Sequence, residues 1–184
     1  MERHLSQGGM EMTEVQIDSS GGSARFPEAP DLHEKDTVGR AFDLLGGSKV
    51  FKHRVRNALE AHDVIVSGLY SRSLIVLVEK VGVLSSGDVL SSAVGMSLRT
   101  LQRKKQSAKA DDRLSPEQSS RTWRFAETLA RATEVLGDQE AAEAWLMAPA
   151  MGLDNRRPIE LLSSAAGAEA VHDHLTRMEY GVYT

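Results

Sequence analysis

From about residue 37 onward, apolar residues recur every three or four positions and rarely alternate, a pattern that predicts helices rather than strands. Val38, Ala41, Phe42 and Leu45 make the first stripe, with Thr37 placed to cap it and Gly46 to end it. Val50, Phe51, Val55, Ala58 and Leu59 make a second stripe, behind a cap at Ser48. Val64-Ile65-Val66 is a β-branched run with no evident partner strand, and reads as a buried helix end or a loop. Leu74, Ile75, Leu77, Val78 and Val81 predict a helix closed by Gly82. Ser85-Ser86-Gly87-Asp88 is a helix-start signal, with Asp88 placed to bond back to the cap, and Val89, Leu90 and Ala93 follow it. Gly95 then marks a turn, and Ser97 can cap a helix over 98–107 in which Leu98 and Leu101 face inward.

The second half is punctuated more sharply. Ser115-Pro116-Glu117-Gln118 combines a capping box with proline at the first helical position, and Gly137 stops the helix after Leu136. Trp123, Ala126, Ala130, Thr133 and Leu136 form one face, widened by Phe125 and Leu129. Asp138 can cap the next helix, which carries Ala141, Ala142, Ala144, Trp145 and Leu146 and ends at Pro149. Pro158 opens a short helix over 159–163, and Gly167 separates it from a last one bearing Val171, Leu175 and Met178, with Gly181 as C-cap. Trp123 and Trp145 read as core. Residues 1–36 show no sustained period and contain Ser19-Ser20-Gly21-Gly22-Ser23, which predicts a flexible extension. The fold expected is all-α: an extension over 1–36, a helical domain with a helix-turn-helix over 37–112, and a small C-terminal helical domain over 113–184.

Composition narrows the function classes. At 41% hydrophobic and 26% charged residues the chain has ordinary globular values. There is no cysteine, so there are no disulfides and no thiolate metal site or nucleophile, in keeping with a reducing cytoplasm. No apolar run approaches the roughly 20 residues of a membrane helix. Charge is segregated: residues 1–37 and 138–184 each carry eight acids against three Lys or Arg, leaving ten acids and sixteen bases for 38–137. Any polyanionic partner is therefore expected at the middle of the chain.

The strongest concentration is Ser97-Leu98-Arg99-Thr100-Leu101-Gln102-Arg103-Lys104-Lys105-Gln106. With Lys109, residues 97–109 hold five bases and no acid. Behind a short helix and a Gly-bearing turn, this is the arrangement that presents a helix to a major groove. Arg99 and Arg103 can bond guanine O6 and N7, and Gln102 and Gln106 can bond adenine. Thr100 flanks them, and Lys104 and Lys105 suit phosphates. A solvated basic helix end is the competing reading. No phosphate-binding glycine loop, HExxH or nucleophile–base pair is present, so no catalytic residue, cofactor or metal site is expected. His172 and His174 are two apart, on different helix faces, and His53 and His62 read as surface residues.

The order of signals resembles the antitoxins of the Xre/MbcA/ParS type, whose partners are RES-domain toxins. The residues that carry it are Leu114-Ser115-Pro116 with Arg121 and Arg124, Val135-Leu136-Gly137-Asp138, Ala144-Trp145-Leu146 with Pro149, Pro158 with Leu161-Leu162, Gly167 with Val171, and Tyr180-Gly181-Val182-Tyr183. Asn155 departs from the expected Gly before the Arg-x-Pro turn, although Asn also tolerates the left-handed region. Ser163-Ser164 replaces an expected Asp-Thr. The resemblance implies an antitoxin whose C-terminal domain binds a NAD-consuming toxin and whose helix-turn-helix represses its own operon. It also implies a homodimer that sets two recognition helices about one DNA turn apart. The cleft-blocking role falls on Tyr180, Gly181, Val182, Tyr183 and Thr184. Arg121 and Arg124 either pair with toxin carboxylates or bond neighbouring helix ends. A stand-alone helix-turn-helix regulator is the alternative, and it gives no reason for the tyrosine-ended tail.

Overall fold

The computed structural model describes residues 32–107 and 112–181. They form α1 (Leu32–Leu44), α2 (Ala58–Val66), α3 (Ser71–Lys80), α4 (Gly87–Val94), α5 (Leu98–Ser107), α6 (Pro116–Leu136), α7 (Gln139–Met147), α8 (Pro158–Leu161) and α9 (Ala165–Glu179). Short 3-10 turns lie at Gly47–Lys49, Gly82–Ser85 and Met151–Leu153. Among the described residues no strand occurs, only isolated bridges pairing Tyr70 with Arg113 and Ala150 with Arg156. The all-α expectation holds.

The axis is α6, whose 21 residues span roughly 30 Å. Ser115 Oγ accepts the Gln118 N–H at 3.2 Å, Pro116 fills the first turn, and Gly137 (φ 99°) lets the chain turn away. Trp123, Phe125, Ala126, Leu129, Ala130 and Ala132 are all buried, so this helix faces protein on more than one side. α1, α2, α4, α7 and α9 all pack against it. The parts expected at 37–112 and 113–184 thus draw on one continuous core, with α6 as the shared element. Its buried hydroxyls are satisfied: Ser119 Oγ accepts the Leu69 N–H at 2.9 Å and donates to the Ser115 carbonyl at 2.8 Å.

Four local expectations need correction. α1 begins at Leu32, so Thr37 is inside the helix and not its cap; its hydroxyl donates to Glu134 Oε2 of α6 at 2.9 Å. The expected extension therefore gives up residues 32–36, and its remainder lies outside the described residues. No helix follows Ser48 beyond the turn at Gly47–Lys49. Phe51 and Val55 reach the core from irregular backbone, Phe51 lying against Phe42 (ring centroids 5.3 Å). The better cap is Asn57, whose side chain accepts the Glu60 N–H at 2.9 Å and starts α2, of which 64–66 form the end. Ser86 precedes α4 without a side-chain cap bond.

The fourth concerns Gly167, which lies within the first turn of α9 instead of before it. Ser164 is the cap, accepting the Gly167 N–H at 3.0 Å. A Cβ on Gly167 would sit 2.1 Å from the Leu161 carbonyl oxygen, so glycine is what allows α8 and α9 to meet. Gly167→Ala is expected to cost roughly 1–3 kcal/mol, read as a lower midpoint of thermal or urea unfolding. An unchanged midpoint would mean that α8 yields freely.

Candidate nucleic-acid and toxin interfaces

α4, the turn at Gly95 and α5 form the helix-turn-helix. Gly95 adopts φ 73°, ψ 31° and donates to the Ser91 carbonyl at 2.9 Å, closing α4 in the left-handed conformation that glycine favours. Ser97 Oγ accepts the Thr100 N–H at 3.2 Å and opens α5. Leu101 is buried, as expected, whereas Leu98 is exposed at the start of the helix. On the outer side, Arg99, Thr100, Gln102, Arg103 and Gln106 together line a shallow concavity of about 430 Å³.

The two lysines are tied to neighbouring elements. Lys104 Nζ bonds Ser71 Oγ and Asp112 Oδ2, both at 3.0 Å, tying α5 to the start of α3 and to the segment before α6. Hydrogen bonding from Ser71 and then Lys104 lowers the Asp112 pKa and keeps it a carboxylate. Lys105 pairs with Glu79 at 3.2 Å. The basic helix end is therefore partly a fastening for α5, which the local sequence does not reveal.

Arg121 and Arg124 stand one turn apart on α6, and each donates to a carbonyl at the end of another helix. Arg121 donates to the Ser92 carbonyl and, at 3.4 Å, to that of Ala93, satisfying the C-terminal carbonyls of α4. Gly95 leaves room for this, since a Cβ there would lie 2.8 Å from an Arg121 guanidinium nitrogen. Arg124 donates to the Leu162 carbonyl at the end of α8 (3.2 Å) and to Ser120 Oγ (3.4 Å). Burial, with Arg121 beside it, lowers the Arg124 pKa. One arginine thus holds the helix-turn-helix and its neighbour holds the α8–α9 corner.

At the far end, Arg131 pairs with Glu179 and, at 3.5 Å, with Glu134, anchoring the last turn of α9. Tyr180 follows, 69% exposed, and Gly181 adopts φ 66° and donates to the Met178 carbonyl at 3.2 Å. Val182, Tyr183 and Thr184 lie outside the described residues.

Both histidines of α9 have structural work. His172 shares a hydrogen bond with Thr128 of α6 at 3.0 Å, and burial, then Arg131, lowers its pKa. His174 stacks on Trp145 (centroids 6.1 Å, interplanar angle 10°), and burial, then Arg177, lowers its pKa. Trp145 is half-buried where Trp123 is fully so. Among the described residues no group of three or more His, Asp or Glu is disposed to hold a metal. The left-handed position expected at Asn155 is present (φ 56°), next to a second at Asp154 (φ 55°).

Residues 60–127 match the antitoxin Xre-like helix-turn-helix domain, and residues 131–181 match the antitoxin Xre/MbcA/ParS C-terminal toxin-binding domain. The chain belongs to the Xre/MbcA/ParS-type antitoxins. The two matched segments meet within α6, the same helix that holds α4 through Arg121 and α8 through Arg124. Antitoxin Xre of Yersinia enterocolitica serotype O:8 / biotype 1B (strain NCTC 13174 / 8081) is 36% identical to this antitoxin-family chain over 93 residues, 50% of this chain and 61% of that protein. The chain therefore spans about three-fifths of the length of that relative.

Proposed function

We propose that this chain is the antitoxin of a type II toxin–antitoxin pair, acting by occupancy and without chemistry of its own. The C-terminal domain holds a RES-domain, NAD-consuming toxin, and residues 180–184 block its active site. The helix-turn-helix binds the operator of the shared operon and represses it, with the chain as a homodimer. The observation that carries the reading is the union on one core of a helix-turn-helix match and a toxin-binding-domain match.

The physical support is local. Arg99, Thr100, Gln102, Arg103 and Gln106 bring guanine- and adenine-reading groups to one outward concavity. Tyr180 follows directly on an anchored helix, and tyrosines give contact area with few rotors. Arg121 and Arg124 contribute by positioning, through the ends of α4 and α8 that they bind. No helix among the described residues is long and apolar enough to cross a membrane; the cytoplasm, where operator DNA lies, is the compartment this reading implies.

The test is co-expression with the product of the adjacent reading frame. An antitoxin co-purifies with that protein and relieves the growth arrest it causes. Absence of both effects, with operator binding intact, would leave a stand-alone transcriptional regulator.

A further inference from the structure

We propose that Met151 is a second toxin-docking anchor, separate from the tail, filling an apolar pocket on the same partner. It is 87% exposed, more than any other large hydrophobic among the described residues. Its backbone is the opposite of loose. The turn at Met151–Leu153 is closed by Ala150 N–H to the Arg156 carbonyl (3.1 Å) and Leu153 and Asn155 N–H to the Ala150 carbonyl (3.0 Å each). Asp154 and Asn155 both adopt the left-handed conformation that this tight return requires. Buried Leu153 pins the turn to the core.

The turn is also locked from behind. A Cβ on Gly152 would lie 2.4 Å from His174 Cε1 and 2.5 Å from Nδ1, so the imidazole rests directly on the Gly152 backbone while stacking on Trp145. A turn this constrained has little reason to hold an apolar side chain in water for its own stability. It has the form of a preorganised anchor, which loses little freedom when a partner covers it. Methionine suits the role because its unbranched thioether adapts to a pocket.

The occupant is the toxin. Met151 lies within the segment matching the toxin-binding domain. His174, which supports it, precedes Tyr180 on α9 by about 9 Å of helix rise. Met151 and Tyr180 thus both lie in the matched segment, on elements joined through α9. The inference rests on the toxin-binding reading above and adds a residue to it.

The test uses full-length chain and the product of the adjacent reading frame, with affinity measured by titration. Met151→Glu is expected to weaken the complex by about tenfold or more, as for a desolvated anchor, with Met151→Leu close to wild type. Thermal unfolding and operator binding should not change, since the side chain is almost wholly exposed. Wild-type affinity in Met151→Glu, while a variant lacking 180–184 fails to bind, overturns the anchor and leaves the antitoxin reading standing. Failure of the unaltered chain to bind overturns both.

Discussion

A chain lacking residues 180–184 should lose the ability to relieve toxin-induced growth arrest, and its affinity for the toxin should fall by at least about a hundredfold. Two tyrosines acting as buried anchors, each contributing roughly 2 kcal/mol or more, account for that scale. The fold should be indifferent to the deletion. Tyr180 is exposed, Gly181 has open space around its Cα, and the last turn of α9 is held by the Arg131–Glu179 pair upstream of the cut. The unfolding midpoint and operator affinity should therefore match those of the full chain. Wild-type protection by the truncated chain would assign neutralisation to the helical platform alone.

The second large effect is at the other interface. Arg99→Ala with Arg103→Ala should weaken operator binding roughly 30-fold or more, because each bidentate contact to guanine discriminates by about 1–3 kcal/mol. Affinity for non-operator DNA should fall less, which distinguishes loss of base reading from loss of phosphate neutralisation. If specific and non-specific binding weaken equally, and the salt slope drops by about one for each cation removed, the arginines serve the backbone instead. Lys104→Ala is the useful contrast. Its ammonium is bound to Ser71 and Asp112, so its loss should show in the seating of α5 and in unfolding before it shows in sequence preference. A gel-shift series with specific and scrambled duplexes at several salt concentrations reads the first two outcomes, and thermal unfolding of Lys104→Ala reads the third.

Much of the fold was legible because helix ends are local chemistry. Ser115 with Pro116, Asp138, Ser97 and the stops at Gly95 and Gly137 lie where their side chains and φ values require them, and each is visible within four residues of sequence. Asn155 was legible for the same reason: its left-handed backbone is a property of the turn it sits in. The misreadings share a different cause. Thr37 looks like a cap and is an interior residue whose hydroxyl bonds Glu134, a partner 97 positions away. Phe51 and Val55 keep helical spacing, yet reach the core from irregular chain, Phe51 between the rings of Phe42 and Tyr70.

The candidate sites divide in the same way. The outward set on α5 follows from spacing once Leu101 is taken as the buried side. Leu98 does not follow, since the same spacing places it inward and it is exposed at the start of the helix. Gly167 reads as a break between helices, whereas it lies inside α9 and gives clearance against a carbonyl on α8. The same holds for Gly152 and the His174 ring. No sequence pattern marks these close approaches. For Arg121 and Arg124 the sequence is compatible with toxin contact or with helix-end bonds; their bonds to the ends of α4 and α8 are tertiary facts, and make α6 the element that joins the two matched segments.

A photo-reactive residue in place of Tyr183 tests whether the C-terminal segment enters the toxin's active-site cleft, as proposed. In the complex with the toxin, irradiation should cross-link that position to residues lining the substrate cleft, and substrate analogue should compete with the cross-link. Adducts confined to the toxin's outer surface, or none in a complex that is otherwise intact, would contradict the account.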